Sequence, residues 1–277
     1  MFINHQKHMK LTTKIKRLFK KTEKEIEKDA SKIGEEIKDI AKADIEFFEY
    51  EEKLFAKWGY SIIRKMLGPI IRWLWVSEIE GLENIPKNGP VIIASNHESY
   101  FDFLCFTASS PRKIHYMAAE KFFNKAVWKQ LMQLTGQIRV DRKHPDKSKV
   151  FQQVFSALKQ GRMMGIFPEG TRSPDGKLLK AFTGVAKIAL QAKAPVVPVG
   201  MIGTYEIMSR HDKRPKLKKA KIKIGKPIYF DEYHNIERQD HHFREVTDKI
   251  MLEIAELTGE KYLHAELGEE HIKREIE

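Results

Sequence analysis

His97 and Asp102 are the residues of this chain whose types and spacing best suit general base chemistry. They lie in Asn96-His97-Glu98-Ser99-Tyr100-Phe101-Asp102, directly after the apolar run Val91-Ile92-Ile93-Ala94-Ser95. An imidazole accepts a proton near neutral pH, and a carboxylate on its other nitrogen selects the tautomer and stabilises the cation that forms. On one continuous helix this spacing would turn the two side chains roughly 140° apart. A turn is therefore expected: a strand to Ser95, His97 in the loop after it, and Asp102 near the start of a helix through Phe103-Leu104-Cys105-Phe106. The plain alternative is Asp102 as a helix cap and nothing more.

A second polar cluster, Phe167-Pro168-Glu169-Gly170-Thr171-Arg172-Ser173, again follows an apolar run, Met163-Met164-Gly165-Ile166. If the two strands are parallel neighbours, both clusters emerge at one carboxyl edge, where open α/β sheets hold their ligands. Here the plain alternative is a Glu169 and Arg172 ion pair supporting the turn Ser173-Pro174-Asp175-Gly176. The elements that must position these residues alternate along the chain. Short apolar runs at 91–95, 114–118, 137–140, 164–167 and 196–201 predict strands, with helices between them at 124–134, 147–159 and 184–191. Ala220-Lys221-Ile222-Lys223-Ile224 alternates apolar with basic and predicts a strand with one wet face. Phe243, Val246, Ile250, Ile254 and Leu257 mark a final amphipathic helix. The fold class expected is α/β: a single mixed, largely parallel sheet flanked by helices.

Four blocks, taken together, resemble the glycerolipid acyltransferase family, in particular the 1-acyl-sn-glycerol-3-phosphate acyltransferases that make phosphatidic acid. The family's Asn-His followed by four residues and Asp is matched by Asn96, His97 and Asp102. Its Gly block ending in Asp-Arg is matched by Gly136-Gln137-Ile138-Arg139-Val140-Asp141-Arg142. Phe167 to Ser173 reproduces the third block without a change, and Val197-Pro198-Val199 is the fourth. Arg139 departs from the family, which usually carries an apolar or aromatic residue there, and leaves open which of Arg139 and Arg142 faces the site. The resemblance implies acyl transfer from a thioester, acyl-CoA or an acyl carrier protein, to the sn-2 hydroxyl of lysophosphatidic acid. Glycerol-3-phosphate or another lysophospholipid is the alternative acceptor, and a noncatalytic membrane adaptor is the alternative of a different class.

A glycerol hydroxyl is a poor nucleophile at neutral pH and needs a base beside it, the role expected of His97 with Asp102 behind it. Backbone amides around His97 or near Gly170 are candidate oxyanion donors that the sequence does not place. Arg172 and Arg142 are the expected phosphate ligands, because a guanidinium presents two parallel donors to phosphate oxygens. Lys121 matches a lysine the family often carries between its first two blocks. By the same resemblance Glu169, Gly170 and Thr171 belong to the acceptor-binding block, with Gly170 permitting close backbone approach. No cofactor and no metal is expected: His241 and His242 have no properly spaced companions, and His115 falls in a strand. The single cysteine, Cys105, excludes an intrachain disulfide framework, fits a reducing compartment and reads as a small core residue.

The 277 residues carry a net charge of +12, placed unevenly. Residues 1–21 hold seven Lys and Arg and no acid, and from Arg210 to Lys226 nine cations face only Asp212. Nucleic-acid binding is not expected, since no aromatic-studded basic surface or known module accompanies the cluster at 210–226. With a lipid substrate implied, an anionic membrane surface is the expected partner. Phe19, Ile26, Ile33, Ile40, Phe47 and Leu54 recur every seven residues and predict one long helix with a narrow apolar seam. From Trp58 to Val76 the chain is at its most apolar, but Arg64, Lys65, Arg72 and Gly68-Pro69 interrupt it. That pattern disfavours a spanning helix and fits one lying in the interface or a kinked hairpin entering one leaflet. The organisation expected is a basic, amphipathic, membrane-docking region at 1–76 and an α/β acyltransferase domain at 77–277. No signal peptide is evident, which points to the cytoplasmic face of the cell membrane.

Overall fold

The computed structural model describes residues 54–124, 126–140, 148–233, 236–237 and 239–265. The heptad pattern up to Phe47, the basic tip and Arg142 lie outside these residues. In chain order the elements are α1 (Leu54–Trp75), β1 (Val76–Glu80), β2 (Val91–Ser95), α2 (Phe101–Ser109), β3 (Ile114–Ala119), α3 (Ala126–Thr135) and β4 (Ile138–Val140). There follow α4 (Ser148–Lys159), β5 (Met163–Ile166), α5 (Gly184–Ala192), β6 (Val196–Ile202), the single turn α6 (Thr204–Ile207), β7 (Ala220–Ile224) and α7 (Asp240–Thr258).

One sheet runs in the order β1-β7-β6-β2-β5-β3-β4. Every pairing is parallel except β6 with β7, so the sheet is mixed and largely parallel, as the alternation of elements predicts. The central strand β2 is buried at every residue, which explains its unbroken apolar sequence. Val91 and Ile93 pack with Phe101, Cys105 and Phe106 of α2 in one core. Ile92 and Ala94, on the opposite pleat, are equally buried, so both faces of the sheet are covered. On α7 the buried residues Val246, Ile250 and Ile254 form one stripe, and Gly259 ends the helix at φ 77°.

The edge strand β1 has no counterpart among the strands read from sequence. Its Val-Ser-Glu-Ile-Glu sequence is short and charged, and its pairing partner β7 lies far along the chain. Glu78 and Lys221 form an ion pair of 2.7 Å across that edge.

Helix α1 runs directly into β1 and packs on the same body as the sheet. Arg64 donates to the Ser110 carbonyl at 2.9 Å, Trp75 meets Phe101 edge to face at 5.0 Å, and Gly59 lies so close to Leu134 that a Cβ would come within 2.8 Å of it. The hairpin form of the expectation for 58–76 is not what forms: the helix continues through Pro69. Pro69, which has no N–H to donate, and Lys65, four residues before it, both lie on the exposed side of the helix. No helix among the described residues is long and apolar enough to cross a membrane.

Candidate active site at the carboxyl edge of the sheet

Strands β2 and β5 are parallel neighbours, with Ala94 opposite Ile166. The polar clusters that follow them therefore leave the sheet side by side. The backbone N–H of Ser173 donates to the His97 carbonyl at 2.7 Å and fastens the two loops together.

The His97 Nδ1 lies 2.8 Å from Asp102 Oδ2. The same oxygen accepts the backbone N–H groups of Glu98 and Ser99, each at 2.8 Å. Asp102, in the first turn of α2, thus holds both the imidazole and the loop that carries it. It is 1% exposed, and its second oxygen, Oδ1, has no hydrogen-bond partner. Beneath the imidazole lies Phe167, stacked at 3.9 Å and 14°, and Tyr116 stacks in turn on Phe167 at 5.7 Å. A Cβ at residue 165 would fall 2.4 Å from the Tyr116 ring, so Gly165 in β5 makes room for that pile of rings. With Nδ1 on Asp102, Nε2 is the nitrogen left for a reactant, in a side chain 13% exposed.

The loop has two further ties, neither readable from local sequence. Asn96 donates to the Met201 carbonyl and accepts the Met201 N–H, both at 2.8 Å, so its side chain extends the pairing of β2 with β6. Glu98 is buried; its carboxylate accepts Asn96 Nδ2 at 3.0 Å, Tyr205 N–H at 3.2 Å and Thr204 Oγ1 at 3.3 Å. Burial, reinforced by the Asp102 charge, pushes the Glu98 carboxyl up to about 8.

Glu169 is 2% exposed. Its two oxygens accept the backbone N–H groups of His97 at 2.9 Å and Leu179 at 3.1 Å, and the local ion pair with Arg172, the plain alternative for this cluster, does not form. Burial likewise pushes its carboxyl up to about 8, against the lowering by those N–H bonds. Gly170 adopts φ 67°, a conformation that glycine takes without strain, and its N–H closes the turn onto Phe167 O at 3.0 Å. The candidate amides for an oxyanion are engaged elsewhere: those of His97, Glu98, Ser99 and Gly170 each have an acceptor.

Thr171 is exposed at the rim. Arg172 is half-buried with its guanidinium carbon 3.8 Å from the centroid of the Tyr100 ring. Lys121 lies in the 3₁₀ turn Glu120–Phe123 that follows β3, and Arg139 lies on β4 in an ion pair with Glu120. Residues following the parallel strands β2, β3 and β5 therefore share one edge. His115 is buried in β3 with Nδ1 2.7 Å from the Gly136 carbonyl, and Cys105 is a core residue whose thiol burial pushes up to about 12.

The acyltransferase family model matches residues 76–202, which is the stretch from β1 to the end of β6. A 1-acyl-sn-glycerol-3-phosphate acyltransferase of Bacillus subtilis is 32% identical over 148 residues, covering 53% of this chain and 71% of that protein. One from Cocos nucifera is 28% identical over 199 residues, covering 68% of this chain and 63% of the other. The crystal structure of the 1-acyl-sn-glycerophosphate acyltransferase from Thermotoga maritima superposes with a TM-score of 0.60 at 25% identity, covering 73% of this chain and 80% of that one. Joined to the four blocks and the sheet that brings the first and third of them to one edge, these likenesses show that the chain belongs to the glycerolipid acyltransferase family.

Proposed function

We propose that this protein transfers a fatty acyl group from a thioester, acyl-CoA or acyl carrier protein, to the sn-2 hydroxyl of 1-acyl-glycerol-3-phosphate, giving phosphatidic acid. The observation that carries the reading is the His97 Nδ1 to Asp102 Oδ2 bond of 2.8 Å. It orients Nε2 as a proton acceptor and gives the imidazolium a counter-charge. As the hydroxyl oxygen attacks the thioester carbonyl, its proton passes to His97 Nε2. The tetrahedral oxyanion then collapses, the carbon–sulfur bond breaks, and the imidazolium returns the proton to the departing thiolate. Stacking on Phe167 keeps the imidazole plane fixed through both transfers.

The acceptor's phosphate is assigned to Arg172, which forms no ion pair with a carboxylate among the described residues. Lys121 in the turn after β3 and Arg139 on β4 are further cationic candidates, and so is Arg142 by its place in the second sequence block. Such substrates reside in a bilayer, and the reading extends to docking at the anionic, cytoplasmic membrane face. Ile62, Met66, Ile70 and Trp73 of α1 are 51%, 67%, 52% and 74% exposed and fall on one helical stripe. Lys65 and Arg72 border it.

Replacing His97 with Ala is expected to reduce acyl transfer by at least ~10²-fold while vesicle binding persists. Full activity in a folded His97→Ala protein would overturn the mechanism. Crossing lysophosphatidic acid, glycerol-3-phosphate and other lysophospholipids with both donor types identifies the acceptor and carrier. A preference for glycerol-3-phosphate would replace the acceptor named above.

A further inference from the structure

We propose that Tyr100 is a positioning residue for the acceptor's phosphomonoester, holding the Arg172 guanidinium against its ring face so that the edge donors of Arg172 remain free for phosphate oxygens. The inference rests on the reading that Arg172 takes the acceptor phosphate. Its geometry is independent of that reading. The guanidinium carbon lies 3.8 Å from the Tyr100 ring centroid, close contact for a cation over an aromatic face. A stacked guanidinium spends one face on the ring, whereas the N–H groups that recognise phosphate point outward in its plane.

The ring itself is held firmly. Tyr100 sits at the N-cap of α2 with φ −66° and ψ −18°, between Ser99 and Phe101, and the Ser99 hydroxyl accepts the Phe101 N–H at 3.0 Å and donates to the Met208 carbonyl at 2.6 Å. The ring also meets Phe122 edge to face at 6.0 Å and 83°. Arg172 is tethered at its own main chain, since the neighbouring Ser173 N–H bonds the His97 carbonyl at 2.7 Å. The stack therefore sets the phosphate-binding side chain in register with the imidazole, through the loop that both Tyr100 and His97 share.

The test is steady-state kinetics with lysophosphatidic acid as the varied acceptor. Tyr100→Leu is expected to raise the acceptor KM by about 10-fold with kcat within about twofold, and Tyr100→Phe to restore the KM, because the stack needs the ring and not the hydroxyl. Phenylalanines of increasing fluorination at position 100 keep the shape and drain the ring face, so the KM should climb with each fluorine. This series decides the matter if Tyr100→Leu does not fold. Arg172→Ala should raise the acceptor KM, and adding Tyr100→Leu to it should change nothing further. A KM indifferent to fluorination, with Arg172→Ala still raising it, would overturn the role of Tyr100 alone. An unchanged KM in Arg172→Ala would instead remove the reading on which it rests.

Discussion

Asp102 Oδ2 accepts from His97 Nδ1 and from two backbone N–H groups, while Oδ1 stays buried without a partner. An asparagine can keep an oxygen toward the loop, yet it removes the charge that would stabilise an imidazolium. Asp102→Asn should therefore lower acyl transfer by at least ~10²-fold with only a modest change in melting temperature, read by activity and thermal unfolding on the same preparation. Equal losses of both would make Asp102 a cap first. The buried Glu98 and Glu169 carry a different consequence. Both carboxyls are pushed up to about 8, above the ordinary glutamate range, so between roughly 4 and 8 the folded chain holds protons that the unfolded chain has released. Their contribution to stability is present below the unfolded value and is lost as pH rises through the folded one. Urea midpoints measured from pH 5 to 8.5 should fall less steeply in Glu98→Gln than in the parent chain, and identical slopes would refute the burial argument. His97 and Asp102 were legible because a base and a carboxylate at that spacing imply a turn. The partners of Asn96 and Glu98 were not, because Met201 and Thr204 lie more than a hundred residues away and no local pattern marks them.

Strands and helices were legible where the burial they experience is uniform. β2, β5 and β6 are buried along almost all their length, and their apolar runs say so; β7 alternates in burial as its Ala-Lys-Ile-Lys-Ile sequence does. β1 escaped because an edge strand needs little apolar surface and tolerates charge. α1 was readable as an amphipathic element, but its inner side contacts α2 and α3 through pairs such as Arg64 with Ser110 that only tertiary structure supplies. At this scale the close approach of β5 to β3 makes a further prediction. A Cβ at 165 would lie 2.4 Å from the Tyr116 ring, whose stack supports Phe167 and then His97. Gly165→Ala should lower stability by about 1–3 kcal/mol through overpacking and should also reduce turnover, because the ring that must move is the base of the stack. Chemical denaturation and kcat are the two measurements; a fully active, destabilised variant would show that Tyr116 yields without disturbing His97.

On the whole molecule, apolar and basic surface meet near one end of α1. Trp73 is 74% exposed, and Trp75, two residues on, donates its indole N–H to the Lys216 carbonyl at 3.2 Å. The loop between α6 and β7 displays Arg210, Lys213, Arg214, Lys216, Lys218 and Lys219 at the surface around Leu217, itself 78% exposed. This loop is fastened to the site's rim, since Lys216 N–H bonds Ile207, Ser99 Oγ bonds Met208, and Tyr205 Oη bonds the Pro174 carbonyl. If the proposed docking holds, the apolar stripe and the cationic loop act on the membrane by forces with different salt dependence. Exposed charges lose most of their attraction once salt shortens the screening length to about 3 Å near 1 M, whereas apolar insertion does not weaken in this way. Sedimentation with vesicles containing anionic lipid should accordingly fall with salt in the parent chain and level off at a residual. Replacing Lys213, Arg214, Lys218 and Lys219 with Gln should remove much of the salt-sensitive part and leave the residual. Replacing Ile70 and Trp73 with Ser should abolish the residual and leave the salt-sensitive part. Binding that is insensitive to both sets, in chains with unchanged circular dichroism, would separate this surface from the membrane altogether.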